Sequence, residues 1–256
     1  VAERPRVLVT RPAGQAQGLC ARLEQAGFEA VHVPAIAITG PGDRSVLAGL
    51  LDDLEAYQLA VFVSINAVQY GLAQILRQRT WPAHTAIATV GLRTTAAVEA
   101  LGLPVAHVPE HEFSSEGLLA LPALHDLSGQ RVAILRGNGG RETLPRELAA
   151  RGAQVDCVEV YRRVCPADSA ALLAPLLHDR QLTAATVTSN ETLENLFELA
   201  GSTGQSLLQD IPLVVASRRQ AALAARLGFR QGAVIAGHAS DEAMAAGVEQ
   251  LLSGSR

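Results

Sequence analysis

Eight short stretches of this 256-residue chain carry residue types suited to holding an anion. They are Arg11 to Gly14, Ser64 to Asn66, Gly91 to Thr94, Ser114 with Ser115, Arg136 to Gly140, Ser189 with Asn190, Ser217 with Arg218, and Ser240 with Asp241. Each sits where an apolar run gives way to a helical pattern. The residues are small, hydroxylated or glycine, often beside an arginine. At such a junction the free N–H groups and the positive end of the helix favour negative charge. Helix capping by Ser or Thr accounts for any one of them alone. Eight converging on one ligand would suit a polycarboxylate. Tyr161 stands apart as an aromatic on an extended segment, in a chain with three tyrosines. Packing at the junction of the lobes is the plain explanation for such a ring, and a functional role the alternative.

Several familiar chemistries are excluded or weakened. All 21 basic residues are arginine, and without lysine there is no Schiff base, pyridoxal phosphate chemistry or Walker A loop. Gly137 to Gly140 is not a dinucleotide fingerprint, and no acidic partner for a ribose follows it. His107 and His111 are four apart, but Pro109 between them spoils a helical zinc pair, which leaves solvated loop histidines. Ser64 and Ser189 lie outside the serine-hydrolase elbow motif. No metal or cofactor is expected. Net charge is −4 with no basic tail, so no nucleic-acid partner is expected. No apolar run is long enough for a membrane span, and the residues from Val1 do not read as a signal peptide. Cys20, Cys157 and Cys165 lack disulfide or metal spacing and read as small apolar residues in a reducing compartment. A cytoplasmic protein is therefore expected; a monomer is expected as well.

The elements that must position these residues occur twice. Arg131 to Pro166 restates Arg6 to Pro41: Arg136 answers Arg11, Gly152 answers Gly27, and Pro166 answers Pro41, each 125 positions later. Ser189 answers Ser64 at the same offset, and the stretch from Thr89 to Ala96 answers Val214 to Ala221. Two copies of so long a period indicate a duplicated lobe rather than a solenoid. In each copy a short apolar strand leads through a turn into an amphipathic helix. The first has Ala16, Leu19, Cys20, Leu23 and Ala26 at helical spacing, stopped by Gly27. An extended segment follows, containing Pro34 in the first copy, and then three strand–helix pairs. In the first copy these start at Ala60, Ala86 and Val105; in the second, at Ala184, Pro212 and Ala233.

Strands alternating with helices give parallel sheets with helices on both faces. The expected fold is thus α/β: two similar lobes with parallel sheets and flanking helices, from an internal duplication. The expected domains are 1–32 with 167–256 as one lobe and 41–155 as the other. Residues 33–40 and 156–166 are expected to be paired linker strands, with a ligand cleft between the lobes. Burial pattern alone leaves open whether each copy makes its own lobe or the copies exchange their first units.

The motifs resemble those of the uroporphyrinogen-III synthase family over almost the full chain. The resemblance rests on Val9 to Pro12, Val63 to Val68, Val90 to Ala96, Leu135 to Gly137 with Arg141 and Leu144, Val160 with Tyr161, and Thr188 with Ser189. It implies exchanged lobes, with the first strand and helix packed against the last third of the chain. It also implies a linear hydroxymethylbilane substrate with eight carboxylates, and neither cofactor nor metal. The implied reaction loses the terminal hydroxyl as water, attacks at the substituted carbon of the last ring, and closes through a spiro intermediate with that ring inverted.

Position by position, Ser64, Thr94, Tyr161 and Ser189 match cleft-lining family positions. Ser217 to Ala221 departs from the Thr-Ala pattern common there, and Arg218 or Arg219 would compensate by pairing a substrate carboxylate. The candidate sites are Tyr161 for catalysis, with Arg11, Ser64, Gly91, Thr94, Arg136, Gly137, Arg141, Ser189, Ser217 and Arg218 for substrate. The rival class is a two-lobed binding module for a small anion, and a nucleotide-sugar transferase ranks third.

Overall fold

The computed structural model describes residues 4–253. It divides into two compact units, one comprising the chain up to Ala37 together with Val164 onward, the other Ile38–Arg163. Among the described residues, ten strands form two five-stranded sheets. They are β1 (Arg6–Val9), β2 (Glu29–His32), β3 (Ala37–Thr39), β4 (Leu59–Phe62), β5 (Ala86–Thr89), β6 (Arg131–Gly137), β7 (Gln154–Val164), β8 (Ala184–Val187), β9 (Leu213–Val215) and β10 (Val234–Ile235).

The first unit has the order β10-β9-β8-β1-β2, and the second β3-β7-β6-β4-β5. The copies exchange their first units: β1 pairs in parallel with β8, Val7 opposite Ala184, while β6 pairs in parallel with β4, Val132 opposite Leu59. The pairs β4–β5, β6–β7, β8–β9, β9–β10 and β1–β2 are parallel as well.

The central strands separate two apolar cores because successive side chains point to opposite faces. In the first unit Leu8, Ala185, Val187, Leu213 and Val215 enter one core, while Val7, Val9 and Val214 enter the other. In the second unit Ala60, Phe62, Ala133 and Leu135 face one way, and Leu59, Val61, Val132 and Ile134 the other. Helices cover both faces, Ala13–Gln25 and Asp241–Ser253 meeting on one side of the first sheet. This burial on both faces explains why the strands read as continuous apolar runs.

Two local features differ from the sequence expectation. The sequence pattern predicts a strand–helix pair opening at Val105 to Val108, but the segment forms only an isolated bridge, Ala88 opposite His107. Pro104 and Pro109 flank it and have no N–H for a ladder, so pairing stops at the Ile87 and Thr89 backbone. The apolar spacing of Val68 to Leu76 predicts one regular helix, but Val68–Leu72 forms a π-helical turn between the α-helical Ile65–Ala67 and Ala73–Leu76. There Gly71 allows close approach to the sheet: a Cβ on it would lie 2.9 Å from Leu135 and 3.3 Å from Val160.

Candidate active site

In an open parallel sheet, ligands gather beyond the carboxyl ends of strands where the winding direction reverses. In the second unit the chain winds outward from β4 to β5 and the opposite way from β6 to β7, so the reversal lies between β4 and β6. Ser64 and Gly137 stand at those two strand ends. In the first unit the reversal lies between β1 and β8, which brings Arg11 and Ser189 to the corresponding positions.

Ser64 caps the helix that follows β4, accepting from the Ala67 N–H at 3.1 Å. Its own Oγ–H donates to the Tyr161 hydroxyl at 3.1 Å. The phenol oxygen therefore accepts, and its proton remains available to a further acceptor. Tyr161 itself is only 3% exposed.

A bulge puts it there. β6 and β7 pair residue for residue up to Arg136 opposite Glu159; then Gly137 stands opposite Tyr161 and Val160 becomes the extra residue. The bulge lets the adjacent Val160 and Tyr161 enter the same core, which regular alternation forbids. Gly137 has no room for a side chain, since a Cβ would lie 2.5 Å from the Tyr161 ring and 3.0 Å from its hydroxyl. Tyr70, on the π-helical turn, packs its ring 6.3 Å from that of Tyr161 and donates its hydroxyl to the Ile38 carbonyl at 3.1 Å.

Beyond Gly137, Asn138 donates its backbone N–H to the Tyr161 carbonyl at 3.3 Å. Its side-chain amide reaches Arg163, accepting from the backbone N–H at 2.7 Å and donating to the carbonyl at 3.1 Å. Sequence reasoning singles out neither Tyr70 nor the Asn138 side chain. A signal for Asn138 exists: the repeat aligns Gly137 and Asn138 with Pro12 and Ala13, so the copies diverge at this turn.

The other candidates occupy the strand ends in different ways. Gly91 precedes helix Leu92–Glu99, and its carbonyl accepts from the Thr94 and Thr95 N–H groups at 3.0 Å each. Thr94 is buried. Ser189 accepts from the Thr192 N–H at 3.0 Å, and its hydroxyl lies 2.7 Å from that of Thr192. The Ser217 N–H donates to Gln220 Oε1 at 2.9 Å, closing the start of helix Arg218–Arg226, where Arg218 and Arg219 are exposed.

Three of the candidate arginines have carboxylate partners inside their own unit. Arg11 is ion-paired with Asp241 and donates to the Ala239 carbonyl at 2.6 Å. Arg136 pairs with Glu142 at 2.7 Å, and the more exposed Arg141 with Glu116 at 3.3 Å. Backbone and serine donors together with the Arg141 ion pair hold the Glu116 carboxyl below its usual range. Cys20, Cys157 and Cys165 are free thiols, and burial is the leading cause that pushes each of them up. Among the described residues, no group of three or more His, Cys, Asp or Glu side chains is placed to hold a metal, and no helix is long and apolar enough to cross a membrane.

The sequence model described as "Uroporphyrinogen-III synthase HemD" matches residues 17–246. The chain belongs to the uroporphyrinogen-III synthase family. It is 35% identical to the uroporphyrinogen-III synthase of Salmonella typhimurium, over 93% of this chain and 97% of that one. It is 34% identical to the Escherichia coli K12 enzyme of the same name, again over 93% and 97%.

Two solved structures share the fold. A mutant uroporphyrinogen III synthase from Thermus thermophilus superposes with a TM-score of 0.62 at 18% identity, covering 97% of this chain and 98% of that one. The uroporphyrinogen-III synthetase of Helicobacter pylori 26695 gives 0.59 at 14% identity, covering 98% and 99%. The sequence expectations of family and of an α/β fold with parallel sheets agree with these findings.

Proposed function

We propose that this chain is a cyclising lyase that converts linear hydroxymethylbilane to uroporphyrinogen III, releasing water and inverting the terminal pyrrole ring. Membership of the synthase family supports the reaction, and one observation supports its location in the fold: the Ser64–Tyr161 hydrogen bond at the winding reversal of the second unit.

The chemistry assigned to these residues is modest. As the terminal C–O bond breaks, the departing hydroxyl takes the Tyr161 proton and leaves as water, while a pyrrole nitrogen lone pair forms the electrophilic methylene-pyrrole. The substituted carbon of the last ring attacks that methylene to give the spiro intermediate. Reopening and closure at the other position invert the ring, and the ring proton then lost balances the one Tyr161 supplied. Ser64 orients the phenol, and its bond stabilises the phenolate that forms. Left to itself the bilane closes without inversion. Most of the rate advantage is then a matter of holding one near-attack conformer, worth several kcal/mol.

For binding we assign Ser64, Gly91, Thr94, Gly137, Ser189 and Ser217 as strand-end positions that present N–H and hydroxyl groups to carboxylates. Arg136, Arg141 and Arg218 supply positive charge. Arg11, held by Asp241, contributes by fixing the β1 turn and the start of helix Asp241–Ser253. We further propose a monomer in the cytoplasm, a reducing compartment that suits three free thiols.

Incubation with hydroxymethylbilane followed by separation of the I and III porphyrin isomers tests this reading. Isomer III should dominate in proportion to protein added. Isomer I alone, at the spontaneous rate, would reduce the chain to a binder of anionic ligands.

A further inference from the structure

We infer that Asn138 is a positioning residue for Tyr161: its side-chain amide acts as a stretch of substitute backbone that holds the β6–β7 bulge in register. The inference rests on the proposed role of Tyr161. The pairing of β6 with β7 ends just past the bulge, at Gly137 opposite Tyr161. Past that point β7 runs on to Val164 while β6 has finished. At Arg163 the Asn138 side chain takes the place of the ladder. Its Oδ1 accepts from the Arg163 N–H at 2.7 Å, and its Nδ2 donates to the Arg163 carbonyl at 3.1 Å. The reciprocal pair fixes the amide orientation, since the flipped amide would set donor against donor and acceptor against acceptor.

The Asn138 backbone completes the clamp. Its N–H bonds the Tyr161 carbonyl, and its own carbonyl accepts from the Arg163 guanidinium at 3.3 Å. Tyr161 is thereby gripped at its own carbonyl and again two residues on, while Gly137 leaves space for the ring and Ser64 meets the hydroxyl. A bulge is a one-residue slip that regular pairing would erase. Moving Tyr161 by one residue would carry the phenol off Ser64.

Only an asparagine-like group offers one donor and one acceptor at this reach. The equivalent position of the first copy is Ala13, whose methyl group offers neither and where the chain is already helical.

The test is a double-mutant cycle on the full chain, read by kcat, KM and the ratio of I to III isomers. Asn138→Ala should lower kcat by roughly tenfold, within the range that small misplacements of a reacting group cost. KM should stay within about twofold, and the isomer I fraction should rise. In a Tyr161→Phe background the same substitution should change kcat by less than about twofold, because residues acting as a unit are not additive. Asn138→Asp keeps the acceptor for Arg163 and loses the donor; it should give a smaller loss with the same non-additivity, and it serves if the alanine variant does not fold.

Full activity of Asn138→Ala, or an equal loss in both backgrounds, would overturn the inference while leaving Tyr161 as the acid. Full activity of Tyr161→Phe would remove both.

Discussion

Ser64 and Ser189 hold the same place in the two copies, 125 residues apart, yet their hydroxyls serve different ends. Each caps the helix after its strand, at 3.1 Å to Ala67 N–H and 3.0 Å to Thr192 N–H. Ser189 then pairs with the Thr192 hydroxyl of its own helix, whereas Ser64 reaches a tyrosine on another strand. The strands beside them explain the difference. In the first unit β1 ends at Val9, and Pro12, with no N–H to extend a ladder, leads at once into helix Ala13–Gln25. In the second unit β6 runs on to Gly137, three residues past the equivalent point, and its helix begins only at Thr143. The extra strand carries the bulge, and the bulge carries Tyr161. Duplication supplied two equivalent caps; the exchange of a helical turn for extended chain made one of them the hydrogen-bond partner of a tyrosine.

The largest effect should come from breaking that asymmetry at its narrowest point. Gly137→Ala would set a Cβ 2.5 Å from the Tyr161 ring, so the ring must move. We expect kcat to fall roughly 10²-fold or more, with about 1–3 kcal/mol lost in a urea titration from overpacking. Gly140→Ala is a control in the same loop, because its nearest contacts are with the Arg136 side chain, which can shift.

Next is the pair of serines. Ser64→Ala and Ser189→Ala should each cost about 1 kcal/mol of stability as lost caps. Their kinetics should separate: Ser64→Ala lowers kcat by several-fold, while Ser189→Ala acts mainly on KM. Equal effects on kcat would erase the distinction drawn between the two copies.

Salt sharpens the comparison from the substrate side. Exposed charge interactions are screened within about 8–10 Å at ordinary ionic strength. Raising salt should therefore raise KM a few-fold with kcat nearly constant, and Arg141→Gln should flatten the response. A KM that does not respond to salt would place recognition in buried backbone contacts.

The smallest effect concerns the segment where the second unit has a bridge and the first has β10. Burial of His107 pushes its imidazole below the ordinary 6.5. The folded state then binds this proton less readily than the unfolded state, so its contribution to stability is present above about pH 6.5 and is lost as pH falls through the lower folded value. An NMR titration should show His107 half-protonated below about pH 6.5, the ordinary histidine value, with a slight fall in the urea midpoint over the same window.

Much of the fold is legible because parallel strands buried on both faces leave unbroken apolar runs, and because the repeat sets their succession along the chain; the exchange of first units is implied by the family resemblance alone. The strand end at Ser64, the glycine at 137 and the tyrosine at 161 can be named for the same reason. What stays hidden depends on partners far apart in the chain. The pairing of Arg11 with Asp241 joins opposite ends, and nothing local to either residue announces it. The π-helical turn at Val68–Leu72 widens the helix without altering composition, so Tyr70 cannot be aimed at Ile38 from sequence. Val105 to Val108 has strand-like residue types, and there the flanking prolines carry more weight than the side chains do.

Tyr161→Phe is the measurement that bears most directly on the account, since it keeps the ring that packs against Gly137 and Tyr70 and removes only the hydroxyl that Ser64 meets. Incubated with hydroxymethylbilane, this variant should turn over roughly 10²-fold more slowly or worse, the scale of general acid catalysis. Its thermal midpoint should stay close to that of the parent. Unconverted bilane closes spontaneously, so isomer I should rise as isomer III falls. Full turnover to isomer III by Tyr161→Phe would contradict the account and leave Tyr161 as a packing residue.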